Sequence, residues 1–170
     1  MNFPLNWQRR ASFTVLDTAF GLGQRFLATW SAWMSDPERA QRLHYVAIAA
    51  TPAKLGDILS SATDALLAKA LAEQWWGLVP GIHRLRFADG RVTLTLGIGA
   101  LQPMLKSLVF EADAVLLSGD GLETDALDTL KAITRHCQVG TEVLSLDPMP
   151  TVRALLPQLG FRVEDGPLAL

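Results

Sequence analysis

Residues 13–27 read Phe-Thr-Val-Leu-Asp-Thr-Ala-Phe-Gly-Leu-Gly-Gln-Arg-Phe-Leu. The apolar run Phe13–Leu16 predicts a strand that ends in Asp17. A turn carrying Gly21 and Gly23 follows, and the spacing then predicts a helix from about Gln24 to Met34. Strand, glycine turn and helix in this order open a nucleotide-binding βαβ unit. Small residues let the backbone approach a ligand, and the helix N-terminus offers free N–H groups there.

Outward from that stretch, strand and helix alternate. Ser35-Asp36-Pro37-Glu38 breaks the first helix, and Leu43–Ala49 predicts a second strand. A helix from Pro52, with Thr51 as its cap, reaches about Gln74, with Gly56 as the place for a break. His83–Phe87 and Arg91–Ile98 flank Ala88-Asp89-Gly90, a strong hairpin signal. A helix over Leu101–Ser107, a buried strand over Ala114–Leu117 and an amphipathic helix over Thr124–His136 follow. Thr141–Leu146 predicts another strand, Met149–Leu159 a helix capped by Gly160, and Phe161-Arg162-Val163 a last short strand. Strands separated by helices imply an α/β fold: three layers around a doubly wound, mostly parallel sheet. Ligands in such sheets sit beyond the carboxyl ends of the strands. That rule groups the Asp17–Gly23 turn, Ala49–Pro52, Gly97–Ala100 and Ser118–Leu122 around one mouth.

The 170 residues suit one domain, 1–170, with a sizeable core. At 49% hydrophobic and 19% charged the chain is not disordered. No apolar run is long enough to span a membrane, and Arg9, Arg10 and Asp17 do not fit a signal peptide, so the expected location is cytoplasmic. A net charge of −2 argues against a strongly basic nucleic-acid binder, although Arg9/Arg10, Arg39/Arg42 and Arg84/Arg86/Arg91 concentrate positive charge locally. Cys137 is the only cysteine, and His44, His83 and His136 lie too far apart for a local ligand pair, so no metal site is expected. Of five tryptophans, Trp30 and Trp33 share one helix face and read as core, and one of Trp75 and Trp76 reads as packing.

The glycine turn has the spacing D-x-A-x-G-x-G, the form used by S-adenosylmethionine (SAM) binders, with Ala19 where the first glycine is usual. Further text carries a more specific likeness: Phe20-Gly21-x-Gly23-x-x-Phe26-Leu27 with Trp30; Arg42-Leu43-His44-Tyr45-Val46; Leu78-Val79-Pro80-Gly81-x-His83-Arg84-Leu85-x-Phe87; and Gly90-Arg91-Val92-Thr93-Leu94. Over roughly residues 13–163 the chain resembles the methyltransferase domain of the bacterial tRNA 5-methylaminomethyl-2-thiouridine (wobble uridine) biosynthesis family, as a divergent and shortened member. The resemblance implies a class I SAM-dependent methyltransferase (Rossmann-like) core lacking part of the C-terminal strand region.

Carried over residue by residue, the resemblance puts Asp17 near the amino acid end of SAM and Ala19, Gly21 and Gly23 in the cofactor turn. Ala49 stands where the family has a Glu for the ribose hydroxyls. Gly99 is followed by Ala100, where the family has an Asp for the adenine amine. Ser118 occupies the catalytic Asp position, with Asp120 two residues later. Ser118 and Asp120 are the weak catalytic candidates. The family's substrate loop after strand 4, its long N-terminal segment and its last strand have no counterpart here. Each lost charge-assisted bond would cost roughly 1.5–3 kcal/mol. Three functions stay open: a SAM-dependent tRNA methyltransferase; a non-catalytic scaffold using a protein partner or a second copy; or a binder of another small molecule in the same cleft.

Overall fold

The computed structural model describes residues 5–119, 122, 125–145 and 149–163. Its elements are β1 (Ser12–Asp17), α1 (Gln24–Ser35), β2 (Arg42–Ala49), α2 (Leu55–Ser61), α3 (Ala65–Gln74), β3 (Gly81–Phe87), β4 (Val92–Ile98), α4 (Leu101–Ser107), β5 (Ala112–Leu117), α5 (Ala126–Thr134), β6 (Cys137–Ser145) and α6 (Pro150–Leu155), the last running into a 3-10 turn over Leu156–Leu159.

One six-stranded sheet has the order β3-β4-β2-β1-β5-β6. Only β3 is antiparallel, paired with β4 across the hairpin. β1 lies centrally between β2 and β5, so the chain winds outward on one side of β1 and then on the other. This is the expected doubly wound, mostly parallel α/β sheet, with helices on both faces.

Side-chain alternation assigns the faces. Phe13, Val15, Tyr45, Ala47, Leu94, Leu96, Leu85 and Phe87 join one core with Phe26, Trp30 and Trp33 of α1 and Leu67 and Leu71 of α3. Leu16, Val46, Val115 and Leu117 point the other way, into a second core with Leu105 of α4 and Leu130 and Ile133 of α5. The first core is aromatic: Phe26 packs against Trp30, Tyr45 and Phe87 with ring centroids 5.7, 5.2 and 5.8 Å away. Trp30 and Trp33 are core residues, as expected; of the next pair, Trp75 is buried and Trp76 is 78% exposed.

Local chemistry sets the element ends. The buried positions Phe26, Leu27, Trp30 and Trp33 fall on one face of α1. Asp36, held extended at φ −90° and ψ 116°, ends that helix before Pro37, whose ring disfavours helical backbone in the preceding residue. The hairpin turn holds Ala88, Asp89 and Gly90 at φ 51°, 55° and 80°. Three expectations need correction. The long second helix breaks at 62–64 rather than at Gly56, because the Asp64 side chain caps α3 by accepting from the N–H groups of Leu66 and Leu67, both at 3.1 Å. Pro52 and Thr51 precede that helix pair and do not cap it, since α2 begins at Leu55. Phe161–Val163 form no strand. Gly160, at φ 89°, turns the chain back so that the Phe161 N–H reaches the Leu156 carbonyl, which leaves β6 as the sheet edge among the described residues.

Gly23 caps α1 in the left-handed region at φ 76°, and a Cβ there would lie 2.9 Å from the Phe20 ring. Gly21 has φ 57° but open space around it. Gly23→Ala should therefore cost about 1–2 kcal/mol for the backbone plus about 1–3 kcal/mol for overpacking, and Gly21→Ala only the first part. Urea denaturation of the two variants checks this ranking; equal midpoints would refute it.

Candidate functional site

The carboxyl ends of the parallel strands bring the sequence-predicted positions to one sheet edge. Asp17 is level with Ala47 of β2 and Leu116 of β5, and Ala49 is level with Ile98 of β4. Backbone bonds lace the loops that leave these strands. Phe20 N–H donates to the Ile48 carbonyl at 2.7 Å, Gly99 N–H to the Ala49 carbonyl at 2.8 Å, and Thr18 N–H to the Leu116 carbonyl at 3.1 Å. The Thr18 hydroxyl accepts from Ser118 N–H at 3.1 Å, which ties the end of β1 to the end of β5.

Asp17 is wholly buried beneath the first turn of α1. A buried carboxylate needs donors for both oxygens, which together offer about four lone-pair sites. Four donors fill them. Oδ1 accepts from Ala19 N–H at 3.1 Å and from the Arg25 guanidinium at 3.0 Å. Oδ2 accepts from Arg25 Nε at 3.1 Å and from the Tyr45 hydroxyl at 2.8 Å. Burial pushes the Asp17 carboxyl up from its ordinary range, and Arg25, Tyr45 and the Ala19 N–H pull it back. Burial and the adjacent Asp17 hold the Tyr45 phenol well above its ordinary value, so Tyr45 remains a donor.

Arg25 occupies the second position of α1, where a cation opposes the helix dipole. Asp17 below compensates for that placement. Neither Arg25 nor Tyr45 was among the predicted site residues. Two signals pointed to them: a cation in the helix turn directly after the motif, and a phenol at the start of the apolar run that continues through Val46–Ala49. Tyr45 shares the face of Asp17 and is its diagonal neighbour across the strands.

The other predicted positions differ in exposure. Ala19 is half-buried, and Gly21 is exposed. Gly23 is buried against Phe20, whose ring stacks on Trp75 at 5.4 Å and 15°. The Trp75 indole N–H in turn donates to the Ala53 carbonyl at 2.9 Å. This aromatic pair fills the space between the glycine turn, the β2–α2 loop and the end of α3. Ala49 is buried and brings no polar side-chain atom to the edge; Ala100 is exposed at the start of α4. Gly99, at φ 153°, lies under the Met104 side chain. Ser118 is buried at the end of β5. Asp120, the second catalytic candidate, lies outside the described residues.

The three histidines are dispersed: His44 on β2, His83 on β3, and His136 between α5 and β6, stacked on Phe110 at 4.2 Å. Among the described residues no group of three or more His, Cys, Asp or Glu comes together as a metal site would require. No described helix is long and apolar enough to cross a membrane.

No protein-family model matches the chain. Curated proteins do. It is 43% identical over 172 residues to the tRNA 5-methylaminomethyl-2-thiouridine biosynthesis bifunctional protein MnmC of Acidovorax sp. (strain JS42), covering 96% of this chain and 27% of that protein. The protein of the same name from Polaromonas sp. (strain JS666 / ATCC BAA-500) is 43% identical over 176 residues, with 96% and 28% covered. The chain thus spans about a quarter of the length of the curated relatives it matches. Among solved structures, MnmC2 from Aquifex aeolicus superposes with a TM-score of 0.69 at 22% identity, over 91% of this chain and 49% of that one, a likeness of fold. The resemblance carried by the Pro-Gly-x-His-Arg-Leu and Gly-Arg-Val-Thr-Leu text is borne out by these relatives.

Two measurements check the site chemistry. Tyr45→Phe removes one donor from a buried charge and should lower stability by about 1.5–3 kcal/mol in urea denaturation; Arg25→Ala should cost more, about 3 kcal/mol or above, because it leaves that charge without its cation. Burial pushes the Cys137 thiol from its ordinary 9.0 up to about 11. Between those values the unfolded chain has released a proton that the folded chain keeps, so this contribution to stability is full below pH 9 and lost as pH rises through 11. Cys137→Ser should flatten the alkaline fall of the thermal midpoint, and native Cys137 should alkylate slowly at pH 8.

Proposed function

We propose that this homologue of the wobble-uridine biosynthesis proteins is a tRNA-directed, methyltransferase-like protein of the cytoplasm in which SAM-dependent methyl transfer is weakened or lost. The relatives' names connect them to tRNA 5-methylaminomethyl-2-thiouridine biosynthesis, and the likeness of fold to MnmC2 supports the methyltransferase-like reading. What carries the reading is the saturation of Asp17 by Arg25, Tyr45 and the Ala19 N–H. In the resembling family the acid at this position faces the amino acid end of SAM. Here its lone pairs are already taken by the chain's own donors, so these residues do not fit the cofactor in this arrangement.

Magnitudes support the same reading. Freeing Asp17 from one charged donor, and doing without carboxylates at Ala49 and Ala100, each forgoes roughly 1.5–3 kcal/mol. Together these exceed about 4 kcal/mol, on the order of a thousandfold in affinity. A micromolar cofactor site would become a millimolar one. The fold then serves as a scaffold, with tRNA or a protein as its partner.

Calorimetric titration with SAM and with S-adenosylhomocysteine tests this reading. No heat is expected below millimolar ligand, and a micromolar dissociation constant would overturn the proposal. Arg25→Ala combined with Ala49→Glu and Ala100→Asp should recover measurable affinity; if the combined variant folds and still gives no heat, the closure has another cause.

A further inference from the structure

The sheet face opposite α1 and α3 is unevenly apolar. On β5 and β6 its core reaches Ala112 and Cys137 at the strand starts, whereas on β1 and β2 it ends at the level of Leu16 and Val46. One row nearer the strand starts, Thr14, His44, Thr93 and Arg86 lie side by side across β1, β2, β4 and β3. Arg84 is level with Thr95 and Val46, two residues along β3 and on the same face; Arg42 is level with Ser12, two residues before His44. Arg42, Arg84 and Arg86 are exposed, and Thr14 and His44 are half-buried. None of the three arginines forms an ion pair with a described residue, whereas Arg9 pairs with Glu38 and Arg10 with Asp113, the acid at the far end of the row. Burial, then Arg42 and Arg84, hold His44 below its ordinary range, so it is a neutral group between two cations.

We infer that the exposed Arg42, Arg84 and Arg86 on this face of β2 and β3, around the half-buried His44, form a docking surface for the phosphodiester backbone of RNA. Neighbouring strands are about 4.8 Å apart and each residue rises about 3.3 Å, so Arg42 and Arg84, two strands and four residues apart, anchor their side chains roughly 16 Å from one another, with Arg86 between their levels. Each is free to take a phosphate with paired N–H donors. Thr93 and Thr95, between the arginines on β4, are buried. Only Ile82 adds an exposed apolar side chain to the β3 part of this face, which disfavours a lipid surface. The choice of RNA over another polyanion rests on the tRNA-directed reading above; it does not depend on whether the cofactor subsite is closed. An overall charge of −2 makes the attraction local, hence weak and salt-sensitive.

Fluorescence anisotropy with a labelled, unmodified tRNA transcript tests the surface. The wild-type chain should bind at low salt, with a log–log salt slope near −2 for about three phosphate contacts. Arg42→Gln, Arg84→Gln and Arg86→Gln together should weaken binding about tenfold or more and flatten the slope, at an unchanged thermal midpoint because all three are exposed. Arg9→Gln, away from the face, should leave binding unaltered. If the triple variant binds like the wild type, the surface is wrong while the tRNA reading stands. If the wild type binds no tRNA, both fall. Stronger attachment to phosphatidylglycerol vesicles or to polyglutamate than to tRNA would overturn the assignment to RNA. The SAM titration judges the cofactor subsite separately.

Discussion

A single buried carboxylate organises the site end of this molecule. Asp17 closes the central strand, and its charge is tolerable there only because α1, β2 and the glycine turn each supply a donor. The dependence is mutual. Arg25 stands at a helix N-terminus, where the dipole disfavours it, and the charge beneath makes the position acceptable. Tyr45 is a phenol in an aromatic core, and Asp17 gives its hydroxyl an acceptor. The saturation that stabilises the first βαβ unit is also what withholds the carboxylate from a ligand. A ligand bound through Asp17 would have to displace one of these donors.

The two faces of the sheet are unequal in a way that bears on function. One carries a continuous aromatic core beneath α1 and α3. On β2 and β4 the other is covered by α4 near the carboxyl ends of the strands, where Met104 sits against Gly97. Toward the strand starts it becomes polar and cationic. The antiparallel strand β3 creates this surface, because it widens the sheet beyond the reach of the second core and adds Arg84 and Arg86. On β2 and β3 the exposed charged residues of this face, Arg42, Arg84 and Arg86, are all cations.

Much of this was legible locally. The glycine turn, the Asp-Gly hairpin and the helix over Leu101–Ser107 rest on short-range rules, and all appear where those rules put them. The failures were also local in kind. The second helix breaks where Asp64 caps, because a side chain satisfying two orphan N–H groups outweighs the modest cost of Gly56 within a helix. The last strand is missing because Gly160 reverses the chain and the Phe161 N–H bonds to the helix end. Arg25 and Tyr45 escaped notice for a different reason: their role exists only when α1 lies over β1 and β2 pairs with it.

The sequence by itself determined most of the order of elements, the mostly parallel sheet and the likeness to the wobble-uridine proteins, since periodicity, turn residues and motif spacing are properties of neighbours along the chain. Tertiary structure alone decided that Asp17 faces inward to a guanidinium and a phenol, and that three exposed arginines separated by up to 44 positions share one sheet face. Pairing and burial are relations between distant segments, and the free energy of a charge depends on which donors those segments bring to it.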